Sequence, residues 1–273
     1  MARIGVAATA PLGADVLERL ARRHDVAFLL TRPDRPRGRG RRVGAPPAKD
    51  VAKRLGIPVR QPERLGPELE LDVPAMVVAA YGALIPESLL DRALWLNVHP
   101  SLLPRWRGAA PVERALMAGD AETGVTIHRT TAELDAGPIA AQRAFSVAAE
   151  EDAGDVYRRA GELAAELLDE VLTEPVFAPQ PREGATYADK IMSADRELDW
   201  YRETAELLNR IRALSPHIGA RGVVSDRPLT VWRARRAGEG SALVVDGVEL
   251  LEVQPDGRRR MSGAEYLRGY VKR

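Results

Sequence analysis

Residues 94–108 read LWLNVHPSLLPRWRG, an apolar stretch that ends in polar residues and prolines. The apolar part predicts a buried strand, and Pro100 ends it because proline cannot donate to a strand ladder. Side chains two residues apart on a strand face the same way, so Asn97 and His99 lie together while Val98 faces the core. An amide and an imidazole are therefore expected at the carboxyl end of a buried strand.

The segments before this strand alternate between strands and helices. Residues 3–8 predict a buried strand, residues 14–24 a helix and residues 26–30 a second strand. In this order they form a right-handed parallel crossover. Open α/β sheets bind ligands just outside the carboxyl ends of their strands. We therefore expect a Rossmann-like domain with a mostly parallel sheet and a ligand site beside Asn97 and His99.

The rest of this first domain continues the same α/β pattern. Some segments repeat apolar residues near a period of 3.6, and others are short and continuously apolar. Further helices are predicted at residues 48–55, 86–92, 111–118 and 152–172. Further strands are predicted at residues 76–81, 124–129 and 139–147, the last of them at a sheet edge.

A proline-rich segment divides the chain. Residues 174–184, EPVFAPQPREG, show no period. Because prolines favour an extended backbone, we expect a semi-rigid linker, placed at residues 174–201. The first domain then covers residues 1–173 and the second residues 202–273. A chain of 273 residues suggests roughly two domains, at about 100–200 residues each.

The second domain is expected to be mostly β. After one helix at residues 202–214 the pattern changes to short strands. They are predicted at residues 220–224, 229–234, 243–245 and 248–253. Asp246-Gly247 predicts a tight hairpin between the last two. This pattern favours a small OB-like β-barrel.

Composition limits the chemistry. The chain has no Cys, which excludes disulfides, thiolate metal sites and thiol nucleophiles, and its four His are scattered, so no metal is expected. The formal net charge is +1, so any nucleic-acid role must depend on local charge. The start lacks the features of a signal peptide. The most apolar run, residues 76–85, is shorter than the ~20 residues that a spanning helix needs. We expect a soluble, cytoplasmic protein that does not enter a membrane.

Asp135 is the candidate partner of Asn97 and His99. It lies in TAELDAGP, residues 131–138, a loop closed by Gly and Pro. Asp135 either caps this turn or accepts the second ring proton of His99 and favours the imidazolium. Asn97 and His99 likewise either have a structural role or donate to the oxyanion of an acyl-transfer reaction.

Several spaced motifs, in the same order, resemble the folate-dependent formyltransferase superfamily. They are residues 77–86, 97–111 and 119–138, including AETGVT at 121–126. The resemblance implies transfer of a formyl group from 10-formyltetrahydrofolate by a Rossmann-like formyltransferase domain. It also implies that Asn97, His99 and Asp135 are the catalytic residues.

The resemblance further implies a place for the folate. The segment that contacts tetrahydrofolate in the family corresponds to Ser101, Leu102, Leu103 and Pro104. The pterin ring is then expected between this segment, the Asp135 loop and the loop that holds Tyr81, Gly82 and Ala83.

Residues 31–42, TRPDRPRGRGRR, bear on the acceptor. Six arginines accompany one Asp, spaced by Pro and Gly that prevent a regular helix. Such a run is either a solvated surface or a nucleic-acid contact. It resembles the loop that enters the acceptor stem in the branch that formylates initiator methionyl-tRNA, whose key arginine aligns with Arg39. The arginines expected to contact nucleic acid are Arg35, Arg37, Arg39, Arg41 and Arg42.

Two other functions fit parts of the sequence. An amino-sugar nucleotide N-formyltransferase keeps the catalytic residues but does not need the basic run. A non-catalytic RNA-binding protein on an enzyme scaffold needs the basic run but not the catalytic residues. The turn after the first strand, ATAPLG at residues 8–13, departs from the family's Gly-Thr-Pro-x-Phe, and the second domain is short for the family. We expect a monomer.

Overall fold

The computed structural model describes residues 1–37 and 42–270. Its helices are α1 (Pro11–Ala21), α2 (Pro47–Leu55), α3 (Glu87–Leu90), α4 (Pro111–Ala118), α5 (Ala153–Thr173), α6 (Thr204–Leu214) and α7 (Gly263–Tyr270), with a 3-10 turn at Ala194–Arg196. Its strands are β1 (Arg3–Ala8), β2 (Asp25–Leu30), β3 (Arg35–Arg37), β4 (Arg42–Gly44), β5 (Val59–Arg60), β6 (Ala75–Ala79), β7 (Leu94–His99), β8 (Arg107–Gly108), β9 (Glu122–Arg129), β10 (Ile139–Ser146), β11 (Tyr187–Ala188), β12 (Ala220–Val224), β13 (Arg227–Arg236), β14 (Val244–Val245), β15 (Val248–Pro255) and β16 (Met261–Ser262).

The chain forms two compact units, and each unit contains several chain segments. Unit 1 comprises Met1–Arg107, Gly124–Ala144 and Arg158–Tyr187. Unit 2 comprises Gly108–Thr123, Phe145–Tyr157 and Ala188–Arg273. Helix α5 has residues in both units. No helix within the described residues is long and apolar enough to cross a membrane.

The main sheet has seven strands in the order β10-β9-β7-β6-β1-β2-β5. Strands β7, β6, β1, β2 and β5 are parallel, while β9 runs antiparallel to β7. The predicted, mostly parallel α/β sheet is confirmed. The predicted edge position of β10 is also found. Because neighbouring parallel strands end at the same edge, the carboxyl ends of β2 and β7 lie on one side of the sheet.

Helix α1 begins earlier than the sequence pattern predicted. The prediction started it at Ala14, after the turn-forming residues, but the helix starts at Pro11, with Ala10 extended before it. Proline suits the first helical position because its missing N–H has no partner there in any case. Residue 13 lies inside the helix, and it must be glycine because an added Cβ would come within 2.3 Å of the Ala79 carbonyl oxygen. The glycine lets the helix pack closely on β6.

Unit 2 contains an antiparallel sheet of strands β12 to β16, a half-barrel, which confirms the predicted small β domain. Asp246 and Gly247 connect β14 to β15 with φ of 43° and 78°, as expected for a tight hairpin turn. Its core contains apolar side chains from α6 and the sheet, and the fully buried Tyr266 of α7. The sequence pattern did not predict α7.

Candidate active site

Asn97 and His99 lie at the carboxyl end of β7, as the alternation of the strand requires. Strand β9 runs beside them, with Asn97 opposite His128 and His99 opposite Thr126. The chain then turns back through the loop that contains Asp135, whose φ is 49°. The loop returns very close to the strand, since a Cβ on Gly137 would lie 1.8 Å from the Arg129 carbonyl oxygen. This return carries Asp135 to the end of β7.

The three residues predicted to be catalytic meet around one carboxylate. Asn97 Nδ2 donates to Asp135 Oδ1 at 3.2 Å. His99 Nδ1 lies 3.6 Å from Asp135 Oδ2, an ion-pair distance and longer than a hydrogen bond. His99 and Asp135 are only 4% and 9% exposed. These charges and dipoles therefore interact with little screening by water.

The other ring nitrogen of His99 has a partner that sequence reasoning did not identify. His99 Nε2 lies 2.8 Å from the Trp106 carbonyl oxygen, and a carbonyl only accepts, so Nε2 carries a hydrogen. Burial lowers the pKa of the His99 imidazole, while Asp135 and the Trp106 carbonyl offset this only in part. His99 is therefore neutral at pH 7. Asp135 favours the imidazolium, as one of the two alternatives from the sequence expected, but burial outweighs its effect on the pKa of His99.

A second buried histidine, His128, completes the cluster. Its Nδ1 lies 3.0 Å from the Arg129 carbonyl oxygen, so Nδ1 carries a hydrogen, and its Nε2 accepts from Asn97 Nδ2 at 3.0 Å. Its ring centroid is 6.2 Å from that of His99. His128 was not among the residues predicted to form the site. The available signal was a polar residue facing inward on β9, but its partner depends on the pairing of β7 with β9.

The predicted folate-contacting segment is fixed on neighbouring strands by buried hydrogen bonds. Thr126 Oγ1 donates to the Ser101 carbonyl at 2.7 Å and accepts from the Leu103 backbone N–H at 3.2 Å. Gln142 donates to the Leu103 carbonyl at 2.9 Å. The peptide bond between Leu103 and Pro104 is cis. The hydrogen bonds to Thr126 and Gln142 hold the segment in place beside His99.

The remaining residues predicted to bind folate differ in exposure. Leu102 is half-buried and packs over Gly124, where an added Cβ would lie 2.4 Å from Leu102 Cδ2. Tyr81 is 3% exposed and lies in an apolar cluster, and burial raises the pKa of its hydroxyl. Gly82 is exposed and Ala83 is half-buried. Of the three residues predicted in this loop, Gly82 and Ala83 offer surface to a ligand.

The arginine-rich run begins after β2, at the same sheet edge as His99. Arg35 and Arg37 lie on β3 and Arg42 on β4, and these two strands pair antiparallel. Arg39 and Arg41 lie outside the described residues. In the order of the sheet, β2 is three strands from β7, or about 14 Å at ~4.8 Å per strand. The run therefore starts within reach of the candidate site.

The one acidic residue of the run is already paired. Asp34 accepts hydrogen bonds from Gln61 at 2.8 Å and from Lys49 at 2.7 Å, and these bonds lower the pKa of its carboxyl. Arg32 donates to the Gly82 carbonyl at 2.9 Å. Since Lys49 already neutralises Asp34, that carboxylate does not offset the charge of the other arginines.

The cluster suits acyl transfer. It has a neutral imidazole with a donor on one nitrogen, an amide donor and a carboxylate, all within one buried site. Oxyanion stabilisation needs donors of this kind. Among residues 1–37 and 42–270, no group of three or more His, Asp or Glu side chains is arranged to hold a metal ion.

Comparison with known families agrees with acyl-transfer chemistry. A formyl transferase model matches residues 4–172, and a formyl transferase C-terminal domain model matches residues 190–271. The chain belongs to the formyl transferase family. The methionyl-tRNA formyltransferase of Paracoccus denitrificans is 42% identical over 283 residues, which cover 96% of this chain and 95% of that relative.

Solved structures share the fold at low identity. The methionyl-tRNA formyltransferase from Clostridium thermocellum superposes with a TM-score of 0.63 at 16% identity, covering 96% of this chain and all of that one. HypX from Aquifex aeolicus, solved in complex with tetrahydrofolic acid, superposes with a TM-score of 0.70 at 18% identity. This match covers the whole chain but only 48% of HypX. At such identities the likeness concerns the fold alone.

Proposed function

We propose that this chain transfers the formyl group of 10-formyltetrahydrofolate to the amino group of initiator methionyl-tRNA. The observation that carries the proposal is the meeting of Asn97, His99 and Asp135 at the end of β7. In addition, nearly the whole length of the chain is 42% identical to a methionyl-tRNA formyltransferase. The family membership supports a folate co-substrate.

The reaction exchanges one carbon–nitrogen bond for another. The amino nitrogen of the methionyl group attacks the formyl carbon, and the carbonyl electron pair moves to oxygen to give a tetrahedral oxyanion. When this intermediate collapses, the bond from the formyl carbon to N10 of the folate breaks. The attacking amine loses one proton and N10 gains one, so atoms and charges balance.

His99 provides a hydrogen-bond donor for these steps. Its Nε2–H, which donates to the Trp106 carbonyl in this structure, donates to the oxyanion in the transition state. Its Nδ1 lies on the other side of the ring, 3.6 Å from Asp135, which orients the imidazole. The proton that the amine loses therefore reaches N10 through water and not through this ring.

Asn97 is the second oxyanion donor. Both hydrogens of its amide are engaged, one with Asp135 and one with His128. Asn97 therefore reaches the oxyanion by exchanging one of these bonds. Loss of a single donor of this kind typically costs about 2.7–4 kcal/mol of transition-state stabilisation.

The binding assignments follow the same proposal. The formyl donor contacts the segment from Ser101 to Pro104 and the loop from Tyr81 to Ala83. The arginines of residues 35–42 contact the acceptor stem of the tRNA, since guanidinium groups suit phosphates and unstacked bases. The chain acts as a cytoplasmic monomer. Residues 1–173 form the catalytic domain, residues 174–201 the linker and residues 202–273 the domain that helps hold tRNA.

An acceptor screen tests this function. The purified chain, 10-formyltetrahydrofolate and one acceptor at a time are combined, and formylated product is measured. We expect formylation of charged initiator methionyl-tRNA and none of amino-sugar nucleotides. Transfer to a sugar nucleotide alone would replace the proposal with the amino-sugar formyltransferase. Absence of saturable tetrahydrofolate binding would favour the RNA-binding protein without catalysis.

A further inference from the structure

The proline-rich segment after α5 packs against the catalytic loop. Its backbone pairs with the start of β10, through two hydrogen bonds of 2.7 and 2.9 Å between Ile139 and Ala178. Two residues further along, the half-buried Gln180 lies beside the loop that holds Asp135. The segment expected to be only a linker thus contributes a side chain next to the candidate site.

Gln180 makes four hydrogen bonds with its side-chain amide. Nε2 donates to the Asp135 carbonyl at 2.8 Å and to the Gly137 carbonyl at 2.7 Å. Oε1 accepts from Arg107 Nε at 3.2 Å and from Arg107 Nη2 at 2.8 Å. Arg107 is only 8% exposed. Both hydrogens and the oxygen of the amide are therefore committed, and a buried guanidinium fixes the direction of the amide plane.

The loop that receives these bonds has a conformation that needs support. Asp135 has a φ of 49°, in the left-handed region that costs non-glycine residues about 1 kcal/mol or more. Gly137 approaches β9 more closely than any side chain would allow. Gln180 holds the carbonyls of Asp135 and Gly137, on both sides of Ala136, and so fixes the peptide unit that follows the left-handed residue.

We propose that Gln180 is a positioning residue that holds the Asp135 carboxylate against His99 and Asn97 during formyl transfer. The inference rests on the proposed function. The two contacts that it protects are short-range, at 3.6 Å to His99 and 3.2 Å to Asn97. A displacement of about 1 Å at a catalytic group can cost on the order of 100-fold in rate.

The test is Gln180→Leu, which keeps the size of the side chain and removes both the donors and the acceptor. We expect kcat to fall about 10- to 100-fold, with the KM values for formyl donor and charged tRNA within about twofold of wild type. The matched control is Gln254→Leu. Gln254 is also half-buried and also bridges a side-chain N–H, from Trp232, to a backbone carbonyl, that of Arg258. It belongs to unit 2, and its kcat at saturating tRNA should stay at the wild-type value.

A second variant separates positioning from folding. Gln180→Glu keeps an acceptor for the buried Arg107 but removes the two donors to the loop. It should fold as the wild type does, by circular dichroism and thermal melting, and lose kcat like the leucine variant. If the glutamate variant folds and its kcat equals that of wild type, Gln180 only anchors the segment and the inference is wrong.

Ring NMR of His99 tests the same point without turnover. The groups that face this ring are Asp135, His128 and the Trp106 carbonyl. Because Asp135 raises the pKa of His99, displacement of the loop in Gln180→Leu, which introduces no charge, should move the His99 titration to lower pH. An unmoved titration contradicts the inference. A wild-type chain that transfers no formyl group contradicts the proposed function instead, so the two failures are distinct.

Discussion

His99 has two partners, and each sets a different property of the ring. The Trp106 carbonyl fixes which nitrogen carries the hydrogen, because it can only accept. Asp135 acts on the charge, since it favours the imidazolium against a burial that disfavours it. A neutral ring with one fixed N–H is the arrangement that the proposed oxyanion stabilisation requires of His99.

We expect His99→Ala to reduce kcat by about 100- to 1,000-fold, the usual effect of removing an oxyanion donor. Folding and tRNA affinity should persist. The matched control is His24→Ala, since His24 is also buried and also pairs with an aspartate, Asp169, at 2.8 Å. His24 precedes β2 and so lies at the amino edge of the sheet, opposite the site. Steady-state kinetics and thermal melting on both variants check this. Near-normal turnover in His99→Ala would contradict the assignment of His99 to the active site.

Residue positions were predictable where the reason was local. The alternation of β7 predicted that Asn97 and His99 share a face, and they do. His128 and Gln180 depend on contacts across 31 and 45 residues of sequence, to Asn97 and Asp135 respectively. No local pattern encodes such a contact, because the register of β9 and the docking of a proline-rich segment are set by tertiary packing.

At the scale of elements, end signals decided which helices could be predicted. Helix α4 has the predicted bounds because Pro111 starts it and Gly119, with a φ of 76°, ends it. Helix α1 was shifted because Pro11 was interpreted as a break instead of a first residue. Helix α7 was not predicted. It follows a basic stretch, and its stability depends on packing Tyr266 into the core of unit 2.

In unit 2, a buried hydrogen-bonded pair, Glu113 of α4 and Tyr157 of α5, links the two helices. Tyr157 Oη donates to both carboxylate oxygens of Glu113, at 2.9 and 3.1 Å. Burial raises the pKa of Glu113, while its bonds and the nearby His217 lower it in part. Burial also raises the pKa of Tyr157 well above its ordinary value, and the Glu113 charge adds to this. The folded state therefore favours a protonated Glu113 more than the unfolded state does.

The pair predicts a pH-dependent stability. Because the pKa of Glu113 is raised in the folded state, this residue contributes to the free energy of unfolding. The contribution is complete below the ordinary pKa of 4.5 and is lost as the pH rises through the folded pKa. In Glu113→Gln this loss should disappear, so the variant gains stability over wild type as pH rises from 4.5. Urea unfolding at a series of pH values measures it, with the exposed Glu174→Gln as control. Tyr157→Phe should instead cost about 1–3 kcal/mol at neutral pH, because the buried carboxylate loses its donor. Parallel curves for wild type and Glu113→Gln would contradict this account.

At the scale of the whole molecule, charge is balanced overall and uneven locally. The chain has 40 Lys and Arg against 39 Asp and Glu. Attraction of a polyanion must therefore come from particular segments. Many surface arginines are already paired, as Arg22 and Arg54 are with Glu18 at 2.9 Å each. In the run at residues 31–42, the one carboxylate is that of Asp34, and it is paired with Lys49 outside the run.

The six arginines of this run predict how tRNA binding responds to salt. Each arginine that neutralises a phosphate releases a counterion, which contributes about 0.7–0.9 to the slope of log affinity against log salt concentration. Replacing Arg39 and Arg41 with Ala should therefore flatten the slope by about 1.4–1.8 and raise the KM for methionyl-tRNA. The matched control replaces Arg22 and Arg54, two paired arginines of unit 1, and should leave the slope unchanged. Filter binding at salt concentrations from about 50 to 200 mM, where the effect on affinity is large, measures the slopes of both double variants. If the two double variants and the wild type give the same slope, the run is a solvated surface and the tRNA contact lies elsewhere.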